Sequence, residues 1–350
     1  MDKVRVGFVG VGGMGQCAHL KNYVTVPDCE VVAIAEMREK QGKMVADRYG
    51  VPKTYTNHEE MLANEKLDCI VASQMFTRHG ILVPELLKAG IPVFTEKPLA
   101  GSVEMGEKIV KAVKDNNTWM MIGYHKRSDP ASMYAKEMID CLKVSGELGP
   151  MKYVRITMPA GDWIANGFLG LLFSDEPAIP LDYEPAASDM DAKTYEDYTS
   201  FVNYYIHQVN LMRYLLGEDY KVTFADKSGV LLTTESDSGV TGVIEMTPYQ
   251  TSVDWQEVAL VAFANGYVKI TLPAPMASNR PGTVEIMKDP GNGATPMTCA
   301  PHLPWVHAMR QQAMNFVAAV RGDIKTLCTA DDALKDLLVA REYIRLWKGK

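Results

Sequence analysis

The sequence predicts a two-domain chain: a doubly wound α/β domain over residues 1–125, then an α+β domain over 126–350 built on a large, mostly antiparallel open sheet. Three observations predict it. Continuous apolar runs of strand length alternate with helix-length stretches through the first 125 residues, the pattern of a parallel sheet covered on both faces. Four glycines, Gly10, Gly12, Gly13 and Gly15, interrupt the end of the first apolar run. Beyond residue 150 the pattern becomes short alternating segments joined by tight turns, which indicates antiparallel strands.

Each element has its own local reason. Val4–Val9 is an apolar strand, and Glu30–Ala35 ("EVVAIA") is the second. Residues 38–49 form a helix closed by Gly50. After a short extended piece at Thr54–Tyr55, Asn57 with Glu60 three residues on marks a helix start. Buried strands follow at 67–73, 91–96 and 119–124, separated by the helices "GILVPELLKAG" and Ser102–Asn117. In the second part, Asp129–Leu142 is predicted as a helix and 151–158 as a strand. Residues 159–198 are irregular, and Tyr198–Leu216 is predicted as one helix. Strands are expected at 228–234, 239–247, 253–263 and 266–272, then helices at roughly 305–321 and 330–347.

The bulk properties exclude several function classes. The chain has 350 residues, 47% hydrophobic and 23% charged, as in ordinary soluble globular proteins. Its formal net charge of −7 argues against nucleic acid or a membrane surface as partner. No apolar stretch approaches the roughly 20 residues of a membrane span, and no secretory signal pattern opens the chain, so a cytoplasmic location is expected. The six cysteines form no CxxC pair. Free thiols and no metal site are therefore expected.

Gly10-x-Gly12-x-x-Gly15 follows a strand and opens a helix inside a βαβ unit. In that setting the three glycines have distinct tasks: a tight turn, close approach of backbone to a pyrophosphate, and close helix–sheet packing. Gly13 and Met14 lie in the same loop, ahead of free helix N–H groups that attract phosphate. Glu36 ends the second strand, 21 residues past Gly15, where a carboxylate accepts the adenosine ribose hydroxyls and repels a 2′-phosphate. NAD is therefore expected over NADP. Arg38 is the counter-signal, since an arginine there could bind that phosphate.

"TEKPLAG" (95–101) places Glu96 and Lys97 at the carboxyl end of a strand, where doubly wound sheets bind ligands. A lysine beside a cofactor can serve as a base once partly desolvated. With the glycine loop and an antiparallel second domain, this block resembles the Gfo/Idh/MocA oxidoreductases, the family of glucose-fructose oxidoreductase and inositol dehydrogenase. "GYHKR" (123–127) and "AGIPVFTEKPLAG" extend the likeness, which covers nearly the whole chain. The resemblance implies a Rossmann first domain, Lys97 near the reacting carbinol, and Ser73 and His79, after the fourth strand, on the cofactor side. It also implies a second catalytic element on a helix, here "NYYIHQVN", with Asn203, His207 and Asn210. Offsets of four and three put these on one helical face. From the residues alone His207 is simply a histidine satisfied by its helix neighbours. Where the family carries carboxylates, this chain has two amides. Asn203 can orient an imidazole but supplies no charge, so Lys97 gains weight as the base.

The expected reaction moves a hydride between a secondary hydroxyl and nicotinamide, with Lys97, aided by His207, taking the hydroxyl proton. Tyr124, His125 and Arg127 are candidates for hydroxyl contacts or equally for packing. The apolar loop 160–173, with Trp163, is read as a wall beside a sugar pocket or as a covering of other protein surface. On the first of these, a sugar or glycoside oxidised at C3 of a glucosyl ring ranks ahead of an inositol-type polyol. A glycoside lyase or hydrolase that recycles bound NAD, an NAD-binding sensor, and a biliverdin-reductase-like enzyme are the remaining alternatives. Self-association into a homo-oligomer through the second domain's open sheet face is implied by the resemblance.

Overall fold

A computed structural model describes residues 2–177 and 179–349. Met1 and Lys350, the outer ends of the two expected domains, and Ala178, within the irregular segment, lie outside the described residues. The chain forms two compact units. The first holds residues 1–124, 167–199 and 309–337; the second holds 125–166, 200–308 and 338–350. The sequence places one boundary at 125/126, whereas two later segments also join the first unit. Their side chains explain why: Phe316 packs on Phe94 and Trp119, and Leu172 packs on the same core.

The first unit is a six-stranded parallel sheet in the order β3-β2-β1-β4-β5-β6. Its strands are β1 (Val4–Val9), β2 (Cys29–Ala35), β3 (Lys53–Tyr55), β4 (Cys69–Ala72), β5 (Val93–Glu96) and β6 (Met120–Gly123). Val6, Phe8, Ile34, Val71 and Phe94 are fully buried, as strands covered on both faces require. The glycine loop leads into a wide π-type turn (Gly15–Leu20) that continues as α1 (Lys21–Tyr23). The order reverses between β1 and β4, so this unit's crevice lies at the carboxyl ends of those strands. Around that edge start α2 (Glu39–Tyr49), α3 (His58–Asn64), α4 (His79–Leu87) and α5 (Val103–Asp115). Asn57 caps α3 by accepting from the Glu60 N–H at 2.8 Å, and Ser102 caps α5 through the Met105 N–H.

The second unit carries an eight-stranded sheet in the order β14-β13-β12-β11-β7-β10-β9-β8, parallel only between β7 and β10. Its strands are β7 (Met151–Ala160), β8 (Tyr220–Ala225), β9 (Leu231–Ser236), β10 (Thr241–Gln250), β11 (Glu257–Phe263), β12 (Gly266–Leu272), β13 (Thr283–Lys288) and β14 (Met297–Cys299). On one face pack α6 (Pro130–Ser145), started by Asp129 as cap with Pro130 behind it, and a later helix, α8. The single helix expected over 198–216 is corrected. It is α7 (Ala192–Tyr204) followed by α8 (Ile206–Leu216), interrupted at Tyr205, whose carbonyl accepts from both Gln208 and Val209. The chain ends with α9 (Ala308–Arg321) and α10 (Ala330–Lys348). All six cysteines are free thiols, and no helix among the described residues is long and apolar enough to cross a membrane.

Candidate active site

The glycine loop is shaped by close backbone packing. Gly10 has φ +87°, and a Cβ there would lie 2.4 Å from Gln74 Nε2 and 2.6 Å from the Ser73 carbonyl. A Cβ on Gly15 would sit 2.7 Å from the Gly10 carbonyl, so the turn and helix start are pressed together. Over Gly12, by contrast, nothing lies within 4 Å of where a Cβ would point. Backbone there can be approached from outside, as a pyrophosphate requires. Buried Glu36 accepts from the Val11 N–H at 3.0 Å through one oxygen and from Arg38 Nε at 2.8 Å through the other. The two residues that argue opposite ways about the cofactor are thus bonded to each other. The donor set fits a dinucleotide: an open loop backbone, helix N–H groups and a ribose-side carboxylate.

Lys97 is half-buried, on a turn that is fixed from several directions. The Lys97–Pro98 peptide is cis. Glu96, at the end of β5, meets His19 Nε2 at 2.8 Å and accepts from its neighbour's Lys97 N–H. Burial pushes the Glu96 carboxyl up, but the His19 hydrogen bond and charge, with Lys97, more than offset this and hold it below its ordinary value. His79 is fully buried under the turn. Its Nδ1 lies 3.1 and 3.3 Å from the carbonyls of Pro98 and Leu99, and its Nε2 lies 3.1 Å from the Thr95 hydroxyl. Two carbonyls can only accept, so Nδ1 carries the proton and Nε2 accepts from Thr95. Burial lowers the His79 pKa and keeps the ring neutral. The ring expected on the cofactor side therefore spends both nitrogens on the lysine's own turn. From the irregular segment comes Glu184, which accepts from Gly101 N at 2.7 Å and from Gly80 N, joining the turn to the first turn of α4.

In the second unit, the rings of His125 and His207 stand edge to face, 4.6 Å apart. Beside His125, Lys126 pairs with Glu257 on β11, and both are buried. Gln208 donates to the same carboxylate at 2.8 Å, and Trp255 Nε1 at 3.2 Å. A small open cleft lies here, walled by His125, Lys126, Asp129, Pro275 and Arg280. Arg127 Nε donates to Asn210 Oδ1 at 2.6 Å, and its guanidinium lies over Tyr214. These two expected substrate contacts are buried and bonded to each other. Of the three residues expected on one helical face, Asn203 is exposed on α7, while His207 is half-buried and Asn210 buried on α8. Tyr124 is buried at the end of the first unit, and the carbonyl of Trp163 accepts from Met276 N in the second.

Residues 4–124 match the family model described as "Oxidoreductase family, NAD-binding Rossmann fold", that of Gfo/Idh/MocA. Over these residues of the first unit the chain is similar to the Gfo/Idh/MocA oxidoreductases. It is 24% identical over 350 residues to inositol 2-dehydrogenase of Rhizobium meliloti, with 98% of this chain and 96% of that one covered. Myo-inositol 2-dehydrogenase of Thermotoga maritima is 26% identical over 226 residues, covering 64% of this chain and 58% of that protein. A solved structure from Desulfitobacterium hafniense, named as an NADPH-dependent oxidoreductase, has the same fold at a TM-score of 0.78 and 14% identity, covering 100% of this chain and 97% of that one.

Several residues of the site carry no sequence motif. Glu184 lies in a stretch with no periodicity. Gln208 is hidden beside His207. Glu257 had one legible signal: it is the single charge in the strand "EVALVAF", a position that needs a partner once buried.

Proposed function

We propose that this chain is an NAD-dependent dehydrogenase of a cyclic polyol or sugar, oxidising a secondary hydroxyl with Lys97 as the base. One observation carries the reading: a lysine at the carboxyl edge of the parallel sheet, on a turn held by His79, the Glu96–His19 pair and Glu184. So many buried contacts around one half-buried lysine suit a group that must be held at a fixed position. The Gly10–Gly15 loop would hold the pyrophosphate and Glu36 the adenosine ribose. A bound dinucleotide would supply the acceptor for the hydride leaving the carbinol carbon. Lys97, in its uncharged form, takes the hydroxyl proton at Nζ. In the second unit, the edge-to-face imidazoles of His125 and His207 suit hydroxyl recognition.

NAD is favoured over NADP because Glu36 is a carboxylate and Arg38 is turned onto it. The relatives named as inositol dehydrogenases favour a polyol. Oxidation of a glycoside at C3 rests on the apolar loop 160–173 as a pocket wall. Leu172 is spent on the first unit's core and a Cβ on Gly13 would meet Leu171 at 3.9 Å, which ranks that reading second. Buried free thiols suit a reducing cytoplasm, and the half-exposed Tyr153 and Leu260 on the sheet suit self-association. The test is reduction of NAD and of NADP, read as nicotinamide absorbance, with myo-inositol, scyllo-inositol, glucose and an aryl glucoside. The reading expects turnover with NAD and an inositol or free sugar. Turnover with the aryl glucoside alone would promote the glycoside reading, and no turnover with any of the four would overturn the substrate class.

A further inference from the structure

We propose that Glu176 is a specificity-determining residue that turns away the 2′-phosphate of NADP. The inference rests on the dinucleotide reading above and adds a residue to it from outside the βαβ motif. In a Rossmann unit the 2′-phosphate must be received just beyond β2, by the cations of that turn and by the free N–H groups opening the next helix. Here Arg38 Nε, Lys40 Nζ and the N–H groups of Lys40 and Gln41 are already engaged from within the chain.

The occupant is the segment 170–176, which is bonded to the loop after β1 and to α2. It is tied down at Gly170 by Arg48 Nη1 at 2.7 Å. At Leu172 it is held by the side chains of two fully buried glutamines, Gln16 and Gln41. Past Ser174, which donates its N–H to Gln41, the segment delivers Glu176 to the N-terminus of α2. One Glu176 oxygen accepts from Lys40 N at 3.1 Å, the other from Gln41 N at 2.9 Å and from the Ser174 hydroxyl at 2.7 Å. The Ser174 hydrogen bond holds this carboxyl below its ordinary value, so it is charged at neutral pH. The neighbouring Asp175 pairs with Lys40 Nζ, while Arg38 Nε is taken by Glu36. Both cations and both helix N–H groups that a phosphate would recruit are thus engaged by carboxylates. A phosphate bringing about −1.5 to −2 charges would have to displace Glu176 or sit beside it. NAD, with a hydroxyl at that position, meets no such cost.

The test is the dissociation constant of NADH and of NADPH for the full chain, read by nicotinamide fluorescence, in wild type, Glu176→Ala and Glu176→Gln. Wild type is expected to prefer NADH. Glu176→Ala frees two N–H donors and removes a charge, so NADPH should gain about tenfold relative to NADH. Glu176→Gln removes the charge but keeps an acceptor oxygen, so it should gain less. An unchanged NADPH:NADH ratio in both variants overturns the proposal. So does equal weakening of both dinucleotides, which is the mark of a segment that only supports the fold. A wild type that binds neither dinucleotide overturns the cofactor reading itself, before any variant is made.

Discussion

Removing Glu184 should unsettle the first unit more than its place in an irregular segment suggests. Its two oxygens accept from the N–H groups of Gly80 and Gly101, and its own N–H donates to the Thr77 carbonyl at 2.7 Å. Glu184→Ala leaves two buried donors unpaired, each costing about 1–3 kcal/mol. Against this, burial pushes the Glu184 carboxyl up, so its ionised form already carries a desolvation cost that the variant relieves. The balance is a loss of about 2–4 kcal/mol, or roughly 4–16 °C in the melting temperature of a unit this size. Glu184→Gln keeps one acceptor oxygen and should lose about half as much. The sign with pH follows from the raised native value. Glu184 contributes stability below its ordinary value near 4.5 that is lost as pH climbs through the native value, and neither variant should show that slope. Urea denaturation across pH measures both effects. A Glu184→Ala variant within about 0.5 kcal/mol of wild type would refute the reasoning.

Two further outcomes follow from the second unit. Asp129 is buried, and burial lifts its pKa from 3.8 to about 6. Its contribution of about 3 kcal/mol is therefore present below pH 3.8 and lost as pH rises through 6. Asp129→Asn keeps an acceptor for the Ala131 and Gly282 N–H groups, so it should fold and flatten stability between pH 4 and 6; an unchanged slope contradicts this. Lys126→Met strands the Glu257 carboxylate in the interior and should cost about 3–5 kcal/mol, which Lys126→Met with Glu257→Leu should largely restore. A single variant costing under about 1 kcal/mol in urea denaturation would show that the pair does not hold this part of the unit together.

The first sheet was legible because its strands are buried on both faces. Such strands must be apolar throughout, and "LDCIVAS" or "IPVFTE" can hardly be read otherwise. The strands that escaped are polar ones toward the sheet's edges. β8 ("YKVTFA") is exposed at Lys221, Thr223 and Phe224, and β14 ("MTC") is exposed throughout. β14 gives periodicity nothing to act on, whereas β8 and β13 do alternate, with Tyr220, Val222, Val284 and Ile286 buried. The break at Tyr205 escaped too, because no glycine or proline marks it and both flanking stretches are helical in pattern. In the site, the glycine loop, Glu36 and Lys97 were legible because each belongs to a local motif. Glu176 and Glu184 were not, since a carboxylate reaching helix N–H groups more than 80 residues away leaves no local trace. His79 was singled out by resemblance, but the two carbonyls that fix its tautomer come from a turn 19 and 20 residues on.

The central claim is that Lys97 is the base of an NAD-dependent dehydrogenation. It is tested most directly by Lys97→Ala, with turnover on the best polyol and NADH affinity measured on the same preparation. The account predicts a fall of about 10²-fold or more in kcat with NADH affinity changed less than about threefold, since general-base catalysis is lost while the glycine loop is intact. A variant that retains turnover within about threefold of wild type would contradict it, and would move the proton-transfer role away from the turn that the first unit holds so firmly.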